Sequence, residues 1–300
     1  SSTSYGNTTV SNKSLTLLGI GLNPRKNIGQ RSIVGDITFN GATSSGSRIS
    51  GLHFNRLLLA NISSPVHTVS NILCENSQFD IMIGPGFTTN AIANIVVRNC
   101  VIHGGNNTGE PQAFELYTNS GVVITNNIIR GHCCSASSIS GDGLTIQNNF
   151  FYYGGTGSVF QDLDNSLVQN NIFYRISPTL NSSQTGNTFI NNISFDHSTS
   201  NIFTDGVDGN TATNNLTNVD PLITNVPSTT FEWNYSWDIT LMTGSPALGT
   251  GQDGTNMGPT GSAAPFDPEG TFLPLIESVN MTAIVTQGSA LNVNVKARGN

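Results

Sequence analysis

Charge is scarce in this chain. Only 10% of its 300 residues are Asp, Glu, Lys or Arg, with 18 acidic against 11 basic side chains and a formal net charge of -7. No basic stripe exists to neutralise phosphates, which argues against a nucleic-acid partner. No apolar run approaches the ~20 residues that cross a bilayer, so no membrane span is expected. The opening SSTSYGNTTV carries no signal-peptide pattern. No lysine occurs between Lys26 and Lys296.

Cysteine is scarce too. Four residues are too few for a disulfide scaffold in a chain of this length. Cys133 and Cys134 are adjacent and read as a vicinal disulfide or as two ordinary thiols. His132 beside them lacks companions at zinc spacing, and no metal site is expected there. Cys74 and Cys100 sit in apolar strand patterns and read as buried core thiols.

What is abundant is Val, Ile, Phe and Thr, interspersed with Asn, Ser and Gly. The first group suits strands and the second suits turns. Disorder is disfavoured by the modest net charge and the aromatic content. The composition predicts an ordered, turn-rich, all-β protein.

The chain also repeats itself. NILCENSQF (71–79), NIVVRNCVI (94–102), GVVITNNII (121–129), GLTIQNNFF (143–151) and NSLVQNNIF (165–173) align on an asparagine. The weaker GNTFINNISF (186–195) and GNTATNNLTN (209–218) continue the series. That asparagine falls at 76, 99, 126, 148, 170, 191 and 214, in steps of 21 to 27 residues. Such a period signals a repeat architecture. Within a unit, apolar residues alternate with polar ones, as in Val122 and Ile124, Leu144 and Ile146, or Ile95 and Val97. That is the period of a strand with one buried face.

Rungs of about 22 residues with such strands fit a right-handed, single-stranded parallel β-helix. The first Asn supplies a left-handed bend, which Asn tolerates well. The next position holds Asn127, Asn149, Asn171, Asn192 and Asn215, with Ser77 and Cys100 below them. These amides are expected to stack as an inward asparagine ladder. The stretches 14–23, 32–41 and 47–56 read as irregular first rungs. About nine rungs at ~4.8 Å each make a rod about 40 to 45 Å long. A leucine-rich repeat would show L-x-x-L-x-L spacing, and an antiparallel sandwich would not keep a corner residue at constant step.

From about Asn218 the repeat fades. Residues 1–217 are therefore assigned to the β-helix, 218–272 to a C-terminal cap that closes the core, and 273–300 to a linker or the start of a following module. Both tryptophans lie in the cap, and NVNVKA near the end alternates like a strand.

The rungs with NN corners resemble the pectate-lyase-like β-helix superfamily over residues 15–217. The segment DPLI…WDITLMTGSPALGTG…NMGPTG resembles the closing segment of secreted bacterial β-helix proteins. It departs from their usual form at Leu248-Gly249, where Ile-Asp is usual, and at Gly258-Pro259-Thr260, where Gly-Ala-Tyr is usual. The ending LPLIESVNMTAIVTQGSALNVNVKARGN resembles the linker before the sorting domain of surface β-helix proteins exported by type IX secretion. The resemblance implies an extracellular or cell-surface protein, part of a larger surface protein or assembly, with a polysaccharide or surface protein as partner. It does not imply catalysis, since the superfamily includes lyases, hydrolases and adhesins.

Enzymes of that superfamily need a base and, often, Ca²⁺ held by carboxylates; hydrolases need paired acids. Four residues after the first Asn stand Asp80, His103, Arg130, Tyr152, Tyr174 and Phe195, expected to face outward on consecutive rungs. They read as a sugar-binding strip or as a solvated face. Asp162 and Asp164 read as an acid pair able to hold Ca²⁺ or as a self-capped turn. Glu110, Glu115 and Asp142 are further acids without a known catalytic spacing. Candidate lyase bases are Arg98, Arg130, Arg175, His103 and His132, with surface salt bridges as the alternative role for Arg98 and Arg175. A regular Thr-x-Thr ice-binding face is absent, and the closing segment argues against a trimeric tail spike. The expected function is a non-catalytic structural, adhesive or glycan-binding module without an obligate cofactor. The alternative is a polysaccharide lyase or glycoside hydrolase using Arg130, His103, Asp162 or Asp164 in a groove.

Overall fold

The computed structural model describes residues 3–25, 29–60, 66–85, 90–104, 113–116, 119–131, 139–152, 158–179, 184–197, 203, 205–227, 232–267, 275–281 and 293–298. Glu110, His132, Cys133 and Cys134 lie outside the described residues.

The chain winds as a parallel β-solenoid whose short strands pair with those one rung above and below. The longest wall has nine parallel strands, Thr16–Leu18 at one end and Thr211–Thr213 at the other. A second wall of six strands runs from Gln78–Phe79 to Ile193–Phe195. A third has seven, from Thr8–Val10 to Phe160–Asp164. Nearly all register is rung on rung: Val97 pairs with Ile124, Ile124 with Ile146, Ile146 with Val168. These inward residues are fully buried, as the alternation requires.

Between the first and second walls the chain turns on the repeated asparagine. Asn76, Asn99, Asn126, Asn148, Asn170, Asn191 and Asn214 all have φ between 47° and 56°. The following Asn points inward. Asn127 donates to Asn149 Oδ1, Asn149 to Asn171, Asn171 to Asn192 and Asn192 to Asn215, at 2.9–3.0 Å. Each Oδ1 also accepts the backbone N–H of the residue one rung back. A second ladder at the opposite corner escaped the sequence reading. Asn187 Nδ2 donates to Asn210 Oδ1 at 3.0 Å, and Ser166 N donates to Asn187 Oδ1 at 3.0 Å. The recurring Gly186-Asn187 and Gly209-Asn210 are its sequence signal.

The C-terminal segment differs from the expected cap. The described part of 218–267 lies along the outside of the six-stranded wall rather than across the end of the core. The cause is visible in the strands. Val101, Ile128, Phe150, Ile172 and Ile193 face away from the solenoid interior, and all are buried with Trp233, Ile239, Ala247, Met257 and Phe266 in a second hydrophobic cluster. A parallel wall with apolar residues on both faces must be covered on both. The strap supplies that cover. At the end of the main core, Phe203 packs on Phe173 and Phe189, ring centroids 6.2 and 5.9 Å away. Farther on, Leu275–Met281 and Val293–Arg298 pair antiparallel, so the described part of that alternating stretch, from Val293, does form a strand.

Candidate functional site

The predicted column does face away from the main core, but much of it is closed off. Tyr152 is only 2% exposed. Its ring meets Trp233 and Trp237 at centroid distances of 6.1 and 5.6 Å, the latter edge-to-face. This corrects the expectation of a solvent-facing aromatic: the strap covers it. Burial pushes the Tyr152 phenol well above its ordinary range, against the opposing pull of Arg130. The phenol therefore stays neutral across physiological pH.

Arg130 is tethered at both ends of its guanidinium. Nε donates to the His103 carbonyl at 2.7 Å and Nη1 to Glu232 Oε1 at 2.6 Å. His103 Nδ1 lies 3.6 Å from Asp80 Oδ1. Tyr235 of the strap donates its hydroxyl to Gln78 Oε1 at 2.8 Å. Tyr174 is half-buried, with Phe195 at 5.5 Å and the Arg175 guanidinium 5.3 Å from its ring centre. Desolvation raises its phenol too. Of this column, Arg130 and Tyr152 are thus fastened to the strap through Glu232, Trp233 and Trp237.

Asp162 and Asp164 are on another wall. Asp162 sits at φ 49°, where the strand pairing slips out of register. Asp164 Oδ1 accepts from Thr185 N at 2.6 Å and from Thr185 Oγ1 at 3.1 Å. Ca²⁺ takes six to eight oxygens. Among the described residues no three His, Cys, Asp or Glu side chains converge on such a point. Asp142 accepts from Asn165 Nδ2 at 2.8 Å. Arg98 pairs with Glu75 at 2.6 Å and Arg175 with Asp196 at 3.0 Å, ion pairs rather than lone bases.

The face that stays accessible is one the column argument passed over. The nine-stranded wall carries two outward columns in strict register. One runs Arg48, Leu73, Val96, Val123, Thr145, Leu167, Thr188 and Thr211. The other runs Ser50, Glu75, Arg98, Thr125, Gln147, Gln169, Ile190 and Thr213. Leu73, Val96, Val123, Thr145 and Leu167 are partly exposed. Beside them Gln169 Nε2 donates to Gln147 Oε1 at 2.9 Å. Arg48 and Arg98 both clasp the Glu75 carboxylate, which is 3% exposed. The repeated Gln before NN, in TIQNN and LVQNN, was the available signal for this ladder. A scan against known protein families matches none, and a search of curated proteins finds no relative.

Proposed function

We propose that the chain is a secreted or cell-surface β-solenoid module that serves as a rigid scaffold and holds a polysaccharide along its nine-stranded wall. The observation that carries this reading is the pair of outward columns. On the four consecutive rungs from Val96 to Leu167 an apolar or β-branched side chain stands beside a hydroxyl, amide or guanidinium: Val96 by Arg98, Val123 by Thr125, Thr145 by Gln147 and Leu167 by Gln169. Rungs recur at ~4.8 Å, close to the length of one pyranose in an extended chain. A pyranose offers an apolar ring face edged by hydroxyls, the complement of such a strip. Cleavage is supported less well, because Arg130 is held by Glu232 and the His103 carbonyl, Tyr152 is covered, and Asp164 is engaged by Thr185.

The test is retention of the purified chain on immobilised acidic and neutral polysaccharides, with and without Ca²⁺. Unsaturated products and reducing ends are followed in the same samples. Retention without product supports the reading. Val123→Arg and Gln147→Ala should each weaken it about tenfold, or about 1.4 kcal/mol. Product formation that disappears in Arg130→Ala would overturn it in favour of a lyase or hydrolase.

A further inference from the structure

Charge on the nine-stranded wall is confined to one end. Its outward columns hold one acid, Glu75, and two bases, Arg48 and Arg98; from Val123 and Thr125 onward every outward residue is neutral. Register sets the acid between the bases. Glu75 pairs with Arg98 on one neighbouring rung, and Arg48 pairs across the other neighbour with Leu73, on the same strand as Glu75.

The hydrogen bonds among the three are uneven. Arg48 gives Nε and Nη2 to Glu75 Oε1, and Arg98 gives Nε and Nη2 to Oε2, the latter at 2.8 and 2.6 Å. Both carboxylate oxygens are therefore taken, and the carboxylate is buried. The guanidiniums are not used up. Each binds Glu75 through one edge, which leaves Nη1 on the edge away from it. Neither Nη1 makes a hydrogen bond among the described residues, and the two side chains stay 47% and 39% exposed. Two cations thus share one anion, leaving a local excess of positive charge on a chain whose net charge is -7.

Guanidinium donors held in fixed planes suit carboxylate and sulfate oxygens. Leu73 and Val96, partly exposed on the same two rungs, offer apolar contact to whatever carries the anion. We propose that Arg48 and Arg98, oriented by Glu75, form an anion subsite at this end of the wall, which takes the carboxylate or sulfate group of one sugar residue. The inference rests on the polysaccharide reading above and adds to it the charge and the register of the polymer. An acidic residue seated over Leu73 and Val96 places the following residues, at ~4.8 Å per rung, over Val123, Thr145 and Leu167, where neutral sugars suffice. Glu75 is a positioning residue: it holds both planes and does not meet the ligand.

The experiment uses the full chain and three polymers with one extended backbone: hydroxyethyl cellulose, carboxymethyl cellulose and cellulose sulfate. Dissociation constants are measured on the immobilised polymers at 0.15 M salt, where the Debye length of about 8 Å screens the distant acids. The parent chain should prefer at least one anionic polymer over the neutral one by about tenfold, the scale of a hydrogen bond to a charged group. The polymer preferred names the group as carboxylate or sulfate. Arg48→Lys keeps the net charge and a partner for Glu75, but a lysine cannot hold Glu75 and the ligand through separate edges. It should keep the parent's urea midpoint and lose most of the preference. Equal affinity for all three polymers in the parent would overturn the subsite and leave the polysaccharide reading standing. An undiminished preference in Arg48→Lys would also overturn it, assigning the effect to net charge. If no polymer binds, the polysaccharide reading falls, and acetate and inorganic sulfate titrations followed by NMR decide the subsite alone. Saturable shifts at the Arg48 and Arg98 Nε–H signals, absent at the exposed Arg25, would uphold it, and unshifted signals would overturn it.

Discussion

Asn126 donates its side-chain amide to the carbonyls of both Pro259 and Gly261, at 2.9 and 3.0 Å, across sequence separations of 133 and 135 residues. The same pattern recurs along the corner. Asn148 reaches Asn256 and Gly258, Asn170 accepts from Gln252 N, and Asn191 reaches Thr250. One residue type thus does two jobs: its backbone makes the left-handed bend, and its amide docks the strap. At Gly258, with φ 82°, an added Cβ would stand 2.4 Å from Ile172 Cδ1, so only glycine lets the strap lie this close. Asn126→Gly keeps the bend and removes the amide. It should cost about 1–3 kcal/mol, because strap carbonyls lose their buried donor. Urea denaturation measures the loss, and earlier proteolysis of 250–262 should accompany it.

The ladder should be strongest in its middle. Asn171 donates to Ile146, Gln169 and Asn192, and its Oδ1 accepts both Asn149 N and Asn149 Nδ2. Asn215 ends the column and is a partly buried side chain bonded to Asn192 and Phe189. Asn171→Ala strands several buried groups and should cost about 3 kcal/mol or more, whereas Asn215→Ala should cost about 1 kcal/mol. Equal losses in chemical denaturation would contradict a cooperative column.

The rungs were legible because period and polarity coincide: Val122 and Ile124 point in, and Asn126 and Asn127 turn the corner. The lateral strap was harder to read. Its signal was the breakdown of alternation after NN, in the apolar pairs Ile128-Ile129, Phe150-Phe151 and Ile172-Phe173. A doubled apolar residue in a strand means that both faces are covered, but it does not say by what. The residues of the closing motif now have physical roles. Ser245 Oγ donates to Pro221 O at 2.6 Å, Ala247 is fully buried, and Met257 N donates to Ala247 O at 2.9 Å. Tyr152 was misplaced as exposed for the same reason, since no local pattern reveals that Trp233 and Trp237 cover it.

His53 gives stability a pH dependence. Its ring is 5% exposed, and Nε2 contacts the Leu22 carbonyl at 3.0 Å. Burial chiefly, then the charges of Arg31 and His103, lowers its pKa from 6.5 to about 4; hydrogen bonds to Leu22 and Gly21 oppose the shift. Above pH 6.5 both folded and unfolded His53 are neutral, and the group adds no pH dependence. Between 6.5 and 4 the unfolded chain takes up a proton that the folded chain refuses. Stability should therefore fall as pH drops through that window, by about 3 kcal/mol in all. Urea midpoints from pH 7 to 4 measure this slope, and His53→Gln should flatten it.

The far end of the nine-stranded wall is guarded by one carboxylate. Thr211–Thr213 is its terminal strand, and Thr211 N donates back to Asn187 O at 2.8 Å. The next amide, Ala212 N–H, faces off the edge and is taken by Asp205 Oδ1 at 3.0 Å. An open edge amide is a template for pairing with another chain. Asp205→Ala should release it while Phe203 still covers the core. Sedimentation velocity should then show concentration-dependent association that the parent chain lacks. Asp205→Asn retains an acceptor and should sediment as the parent does. Association in both variants would assign the guard to the negative charge, and association in neither would mean the edge is blunted by other means.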